Sequence, residues 1–292
     1  MRRTLGLIAL AVFALSVLNS AWSQDRAHDL ASQAASQKPA KCPTPDDLTL
    51  KQCHDSFADG CSQAKKPGYD AYLDFLKDQD PDPSLAATKT LGQSDFSFLE
   101  KHLPKTLNSR NHSTLADTFA PIGEGNIHSV VAFLYFAEDT GAGTPPNSET
   151  CNCKLTTPGT FDYHLGIGFD PALAAIAKTH PLQTSAAMTK LEKASVVAEM
   201  TPFTRSSRHP KWTIDRVAAL QGQQIKVVGQ LMSDNEHFNK KDDCGFPKHK
   251  SSCWRSTVWE IHPVTQFLVC TASAGCSDSS PDSDWTSLDD MP

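Results

Sequence analysis

Much that would name an activity is missing from this chain. It has no G-x-S-x-G elbow, no Walker loop and no dinucleotide-type G-x-G-x-x-G, so the local signatures of serine hydrolases, P-loop enzymes and Rossmann oxidoreductases are absent. H-E-x-x-H and C-x-x-C pairs are absent too, which removes the common zinc spacings. Beyond its N-terminus no stretch approaches the roughly 18 apolar residues of a spanning helix. With a net charge of −6 there is no global basic field to draw in nucleic acid. Apolar content is a modest 39%, against 19 prolines and 15 glycines, a balance that suits a loop-rich β domain better than a large helical enzyme.

What is present begins with an export signal. Arg2 and Arg3 precede an apolar run from Leu5 to Leu18, too short for a spanning helix, and Ala21-Trp22-Ser23 offers small residues for cleavage after Ser23. The expected destination is the periplasm or the extracellular space. Nine cysteines follow, which in an exported protein are expected to form disulfides with at least one left over. Spacing suggests Cys244–Cys253 and Cys270–Cys276, with one pair among Cys42, Cys53 and Cys61. Cys151 and Cys153 are too close to bridge each other comfortably, so each has a partner elsewhere or one is free.

Five regions follow: a signal peptide (1–23), a flexible leader (24–40), a helical cysteine-containing preface (41–104), a β domain (105–275) and an acidic, disordered tail (276–292). In the preface, residues 68–78 place Tyr69, Tyr72, Leu73, Phe75 and Leu76 on a helical stripe. Ser94 is a suitable N-cap for a helix over 95–103. From about residue 125 the period changes to two. Strands are expected over 127–137, 161–169, 195–200, 225–233 and 258–270, the last bent near Pro263. Helical turns fall within 171–193 and 218–221. Five such strands predict a mainly β fold with α additions, an OB-like five-stranded barrel.

Two strands carry the chemistry. In Asp162-Tyr163-His164-Leu165-Gly166-Ile167-Gly168-Phe169, the residues Tyr163, Leu165, Ile167 and Phe169 share one face, and Asp162 and His164 the other. In Val258-Trp259-Glu260-Ile261-His262, Trp259 and Ile261 oppose Glu260 and His262. With Glu199, Asp234 and His237 these form a candidate polar site: Asp162, His164, Glu199, Asp234, His237, Glu260 and His262. Imidazole and carboxylate are ordinary ligands of zinc and other divalent metals, with His164, His237 and His262 the candidate ligands. The same residues also suit a metal-free acid–base site, or a purely structural network in which Asp162 orients His164 and Glu260 orients His262 or receives an arginine such as Arg255. Gly166 and Gly168 suggest close backbone approach or strong bending.

Basic residues crowd two connections. Arg205, Arg208, His209 and Lys211 follow the third strand. Lys240, Lys241, Lys248, Lys250 and Arg255 lie between the fourth and fifth, with Phe238, Phe246 and Trp254 as stacking faces. In OB folds that second connection often binds oligonucleotides or oligosaccharides. Asp242 and Asp243 interrupt it, and a solvated loop stapled by Cys244–Cys253 is the plainer reading.

The ordered series Glu149-Thr150-Cys151-Asn152-Cys153, Asp162-Tyr163-His164, Val197-Ala198-Glu199, Asp234 with His237, and Trp259-Glu260-Ile261-His262-Pro263-Val264 resembles a group of exported bacterial proteins of unknown function. They carry one small β domain with a D-Y-H … E-I-H-P-V pattern. The likeness covers roughly residues 105–270 and implies an OB-like barrel, with no activity, substrate or cofactor attached. The expected function is an exported binding or structural module with a polar His/acid face, its partner a polyanion, glycan or protein. The alternative is a metal-dependent, phosphodiesterase-like hydrolase.

Overall fold

The computed structural model describes residues 47–61, 69–141, 149–179 and 185–292. The expected signal peptide and leader lie outside these residues, as does Cys42. Five strands close on themselves: β2 (Ile127–Asp139), β3 (Tyr163–Gly168), β4 (Val196–Met200), β5 (Gln224–Ser233) and β6 (Trp259–Cys270). Their order is β2-β3-β4-β6-β5 and back to β2. All neighbours are antiparallel except β4 and β6, which run parallel. This is the OB-like arrangement, and its strands are the five the alternation predicts. β1 (Thr90–Leu91) adds parallel to β2, and β7 (Trp285–Ser287) adds antiparallel to β6.

Alternation fills the barrel. Tyr163, Leu165 and Ile167 from β3, Val196, Ala198 and Met200 from β4, and Trp259 and Ile261 from β6 belong to one buried apolar cluster with Val130, Leu134, Val227 and Phe267. Because side chains alternate across a strand, His164, Glu199, Glu260 and His262 point to the opposite face. β3 gives up two side chains for close packing: a Cβ on Gly166 would sit 2.0 Å from the Phe136 ring, and one on Gly168 would sit 2.1 Å from the Tyr135 ring.

Among the described residues eight short α-helices decorate the barrel: α1 (Leu50–Ser56), α2 (Ala71–Lys77), α3 (Gln93–Lys101), α4 (Ala116–Phe119), α5 (Pro171–Thr179), α6 (Ser185–Ala194), α7 (Pro202–Arg208) and α8 (Ile214–Ala218). Asp70 caps α2 by accepting from the Tyr72 and Leu73 amides. α3 starts earlier than Ser94 would place it: the Asp95 carboxylate accepts from the Gly92 amide at 2.8 Å, closing the first turn from inside. α2 is the element that matters for the site. Its Tyr72, Leu73, Phe75 and Leu76 bury against Ala116 and Met232. Gln230 of β5 donates to both the Leu76 and His262 carbonyls, tying the helix to the barrel.

Cys244–Cys253 and Cys270–Cys276 are bonded as their spacing suggests. Cys53 instead bridges to Cys153, 100 residues on, and staples α1 to the β2–β3 connection. Cys61 is also disulfide-bonded, and Cys151 is free and buried. These bonds fit an oxidising compartment. Among the described residues no helix is long and apolar enough to cross a membrane.

The tail corrects its compositional reading. Residues 276–292 are ordered: β7 pairs with β6, Trp285 and Leu288 are buried, and Met291 packs on the core. The basic residues after β4 are spent on such ties. Arg216 donates to the Leu288 and Met291 carbonyls, Lys211 Nζ to the Asp289 carbonyl, and His209 meets Asp289 at 2.7 Å. Arg208 pairs with Asp80, while Arg205 lies over the Tyr163 ring and donates to the Met200 and Phe161 carbonyls.

Candidate metal centre

One end of the barrel gathers the polar residues. Asp162 precedes β3, Glu199 nearly ends β4, Asp234 follows β5, and Glu260 and His262 start β6. Over this face lie α2, residues 149–162 ahead of β3 and the β5–β6 connection, so what alternation marks as outward is largely covered. Asp162, Glu199, Asp234, Arg255, Glu260 and His262 are all buried.

A chain of contacts runs across the layer. Arg255 is buried and its guanidinium donates to Glu260 Oε2, so it is a structural partner of the cluster and not part of the loop surface expected to meet a ligand. Glu260 Oε1 lies 3.2 Å from His262 Nδ1. Placing the proton on Nδ1 lets it donate to Glu260 and leaves a lone pair on Nε2, which has no hydrogen-bond partner. Glu199 sits between the two imidazoles, its Oε2 3.2 Å from His262 Nδ1 and its Oε1 2.7 Å from His164 Nε2. The His164 contact lies off hydrogen-bond alignment and leaves its Nε2 unpartnered; Glu199 Oε2, beside His262 Nδ1, and Asp162 Oδ1 are unpartnered too. Asp162 Oδ2 accepts from Asn152 Nδ2 at 2.6 Å.

Two cations close the other side. Lys77, at the end of α2, places Nζ 3.1 Å from both Asp234 Oδ2 and Glu149 Oε2. Arg255 Nη1 lies 3.6 Å from Asp234. His237 stands 3.7 Å from Asp234 and 3.4 Å from Asp242. Trp254 runs nearly parallel to His164, at 6.4 Å between ring centroids, and stands edge-on to His237. Its indole N–H donates to Asp242.

Charge is unbalanced here. Five carboxylates (Glu149, Asp162, Glu199, Asp234, Glu260) face two fixed cations, Lys77 and Arg255. Buried charge without a partner is expensive, and the protonation equilibria show it. Burial pushes Glu199 well above the usual carboxylate range against the opposing effect of His262. Burial and the Glu149 charge raise Asp162. For His262 burial disfavours the cation, but Glu199 and Glu260 outweigh it and hold the imidazole above its ordinary value. For Glu149 burial is outweighed by Lys77 and His164, which hold the carboxyl at about 2. The layer therefore needs additional positive charge, as protons or as a cation.

The donor atoms fall into three sets, each with its atoms within 4.8 Å of one another: Glu149, His164 and Glu199; Asp162, Glu199 and His262; Glu149, Cys151 and Asp162. The acids link the sets, and Glu199 is shared by the two that contain imidazoles. The three histidines named from sequence do not form one set. His164 and His262 flank Glu199 from opposite sides, and His237 belongs with Asp234 and Asp242, outside all three. Sequence reading missed Lys77, Glu149 as a donor, and Cys151.

The β5–β6 connection has two parts. Its tip, with Lys240, Lys241, Lys248 and Lys250, is exposed. Its base holds Trp254 and Arg255 against the cluster. Other residues of the same connection, Phe238 and Phe246, line a cavity of about 710 Å³ with Leu103, Lys105 and Leu107. Buried elsewhere, His112 bridges Glu124 at 2.8 Å and Asn235 at 3.0 Å. That pin fixes the start of β2 to the end of β5. No family model, no curated protein and no solved structure matches this chain.

Proposed function

We propose that this is an exported binding module that holds a divalent transition cation on the covered outer face of its barrel. Glu199 is the central ligand, flanked by His164 with Glu149 and by His262 with Asp162. The observation that carries the reading is the Arg255–Glu260–His262 relay. A carboxylate that accepts a hydrogen bond from one ring nitrogen, and so leaves the lone pair of the other for a metal, is the usual support of a metal-bound histidine. The excess of buried carboxylates supports it too, because a dication supplies the missing charge without protonating the acids. Export is supported by the apolar run of residues 5–18 and by the disulfides.

Zinc titration of the chelator-treated chain from residue 24 onward, by calorimetry, tests the reading. Stoichiometric zinc is expected, with Glu199→Gln weakening it by at least ~10-fold at unchanged circular dichroism. Absent binding, or wild-type affinity in Glu199→Gln, would sink it.

A hydrolytic use of the same centre is favoured by one observation. The side chains of His164 and Glu149 keep 19% and 22% exposure while the rest of the layer is buried, so that edge lies nearest to solvent, with His164 Nε2 itself turned inward. A three-ligand metal with water in its open position generates hydroxide near neutral pH. Zinc-dependent turnover of bis(p-nitrophenyl) phosphate, lost in Glu199→Gln, is the expected sign. Zinc-loaded protein with no turnover leaves the module as a binder.

A further inference from the structure

An odd number of cysteines leaves one without a disulfide, and the fold decides which. Cys151 is that residue. It lies in the turn that Glu149 opens, where Cys153 donates to the Thr150 carbonyl and Lys154 to that of Glu149. The turn is held twice: the Cys53–Cys153 bond anchors it to α1, and Lys77 anchors Glu149. The free thiol is thus presented in a pre-formed position beside the acid layer.

Cys151 Sγ, one Glu149 oxygen and one Asp162 oxygen lie within 4.8 Å of one another. Asp162 is fully buried, and its Oδ1 has no hydrogen-bond partner. Lys77 takes Glu149 Oε2, which leaves Oε1 for another partner. Two carboxylate oxygens and a sulfur thus converge, and one oxygen of the buried Asp162 carboxyl has no hydrogen-bond partner. Moreover, Glu149 and Asp162 are the acids that reach Glu199 with His164 and with His262. The set that holds the thiol thus shares one acid with each imidazole set and contains no imidazole itself.

We propose that Cys151 is a thiolate ligand of the cation in this cluster, and that its sulfur makes the site selective for zinc-like metals over calcium and magnesium. The inference rests on the metal reading above. Oxygen donors alone suit the hard cations, whereas a set that adds a thiolate sulfur to its carboxylates favours zinc or cobalt. On binding, the S–H bond breaks, the sulfur electron pair forms the S–metal bond, and one proton leaves to solvent. No oxidant or reductant is involved.

Cobalt(II) is the probe, added to the chelator-treated exported chain with its disulfides intact. The expected wild-type spectrum has visible d–d bands and a near-ultraviolet sulfur-to-cobalt charge-transfer band. Excess magnesium leaves both unchanged. Cys151→Ser keeps the d–d bands, loses the charge-transfer band, and binds zinc at least ~10-fold more weakly. Wild-type d–d bands without charge transfer would overturn the thiolate ligand and leave the metal reading standing. No cobalt uptake at all would overturn both. Should Cys151→Ser fail to fold, the presence or absence of charge transfer in the wild type still decides.

Discussion

Glu199 and His262 titrate in a way that depends on what else occupies their layer. Both groups are shifted upward, Glu199 by burial and His262 by the carboxylates that outweigh its burial. Raised values in the folded state mean that the fold binds more protons than the unfolded chain, so stability falls as pH rises through them. For His262 the gain is complete below the ordinary histidine range and fades above it. For Glu199 the loss begins once pH passes the ordinary carboxylate range. A bound dication replaces those protons and removes the dependence. Thermal unfolding with chelator, from about pH 5.5 to about pH 8.5, should therefore show a falling Tm. With saturating zinc the gap between the two curves should widen with pH. Parallel curves would show that protons and cation do not compete for this layer.

At the scale of elements, the chain is legible where period decides and opaque where tertiary contact does. β2 to β6 emerge from two-residue alternation within a residue or two of their ends, because one face of each must meet the barrel interior. The same alternation places His164, Glu199, Glu260 and His262 on the far face. It says nothing of what covers that face, so Lys77 reads as the ordinary basic end of a short helix, and Glu149 and Cys151 as residues of a loop. The tail shows the opposite failure. Its aspartates suggest disorder, yet Trp285 and Leu288 suffice to anchor β7 on β6. Deleting residues 278–292 exposes the outer edge of β6 and both side chains, and should cost about 3–5 kcal/mol, read by urea unfolding. A loss under about 1 kcal/mol would mean that β7 merely rests on the barrel.

Taken as a whole, the molecule is a barrel with a fastened cover, and the fastener is the Cys53–Cys153 bond. It spans 100 residues, the kind of long closure whose removal costs about 4–5 kcal/mol in chain-entropy terms. It joins α1 to the turn that carries Glu149 and Cys151. Lys77 reaches the same turn from α2. In the proposed reading, a cation leaves past the edge that Glu149 forms, and the bond holds the turn that carries Glu149, so it slows release. Cys53→Ala/Cys153→Ala should release zinc to a chelator at least ~10-fold faster, with a smaller change at equilibrium. Equal release rates would place the exit elsewhere. A reducing compartment would then act on this protein as a clock, shortening how long each ion stays before it is exchanged.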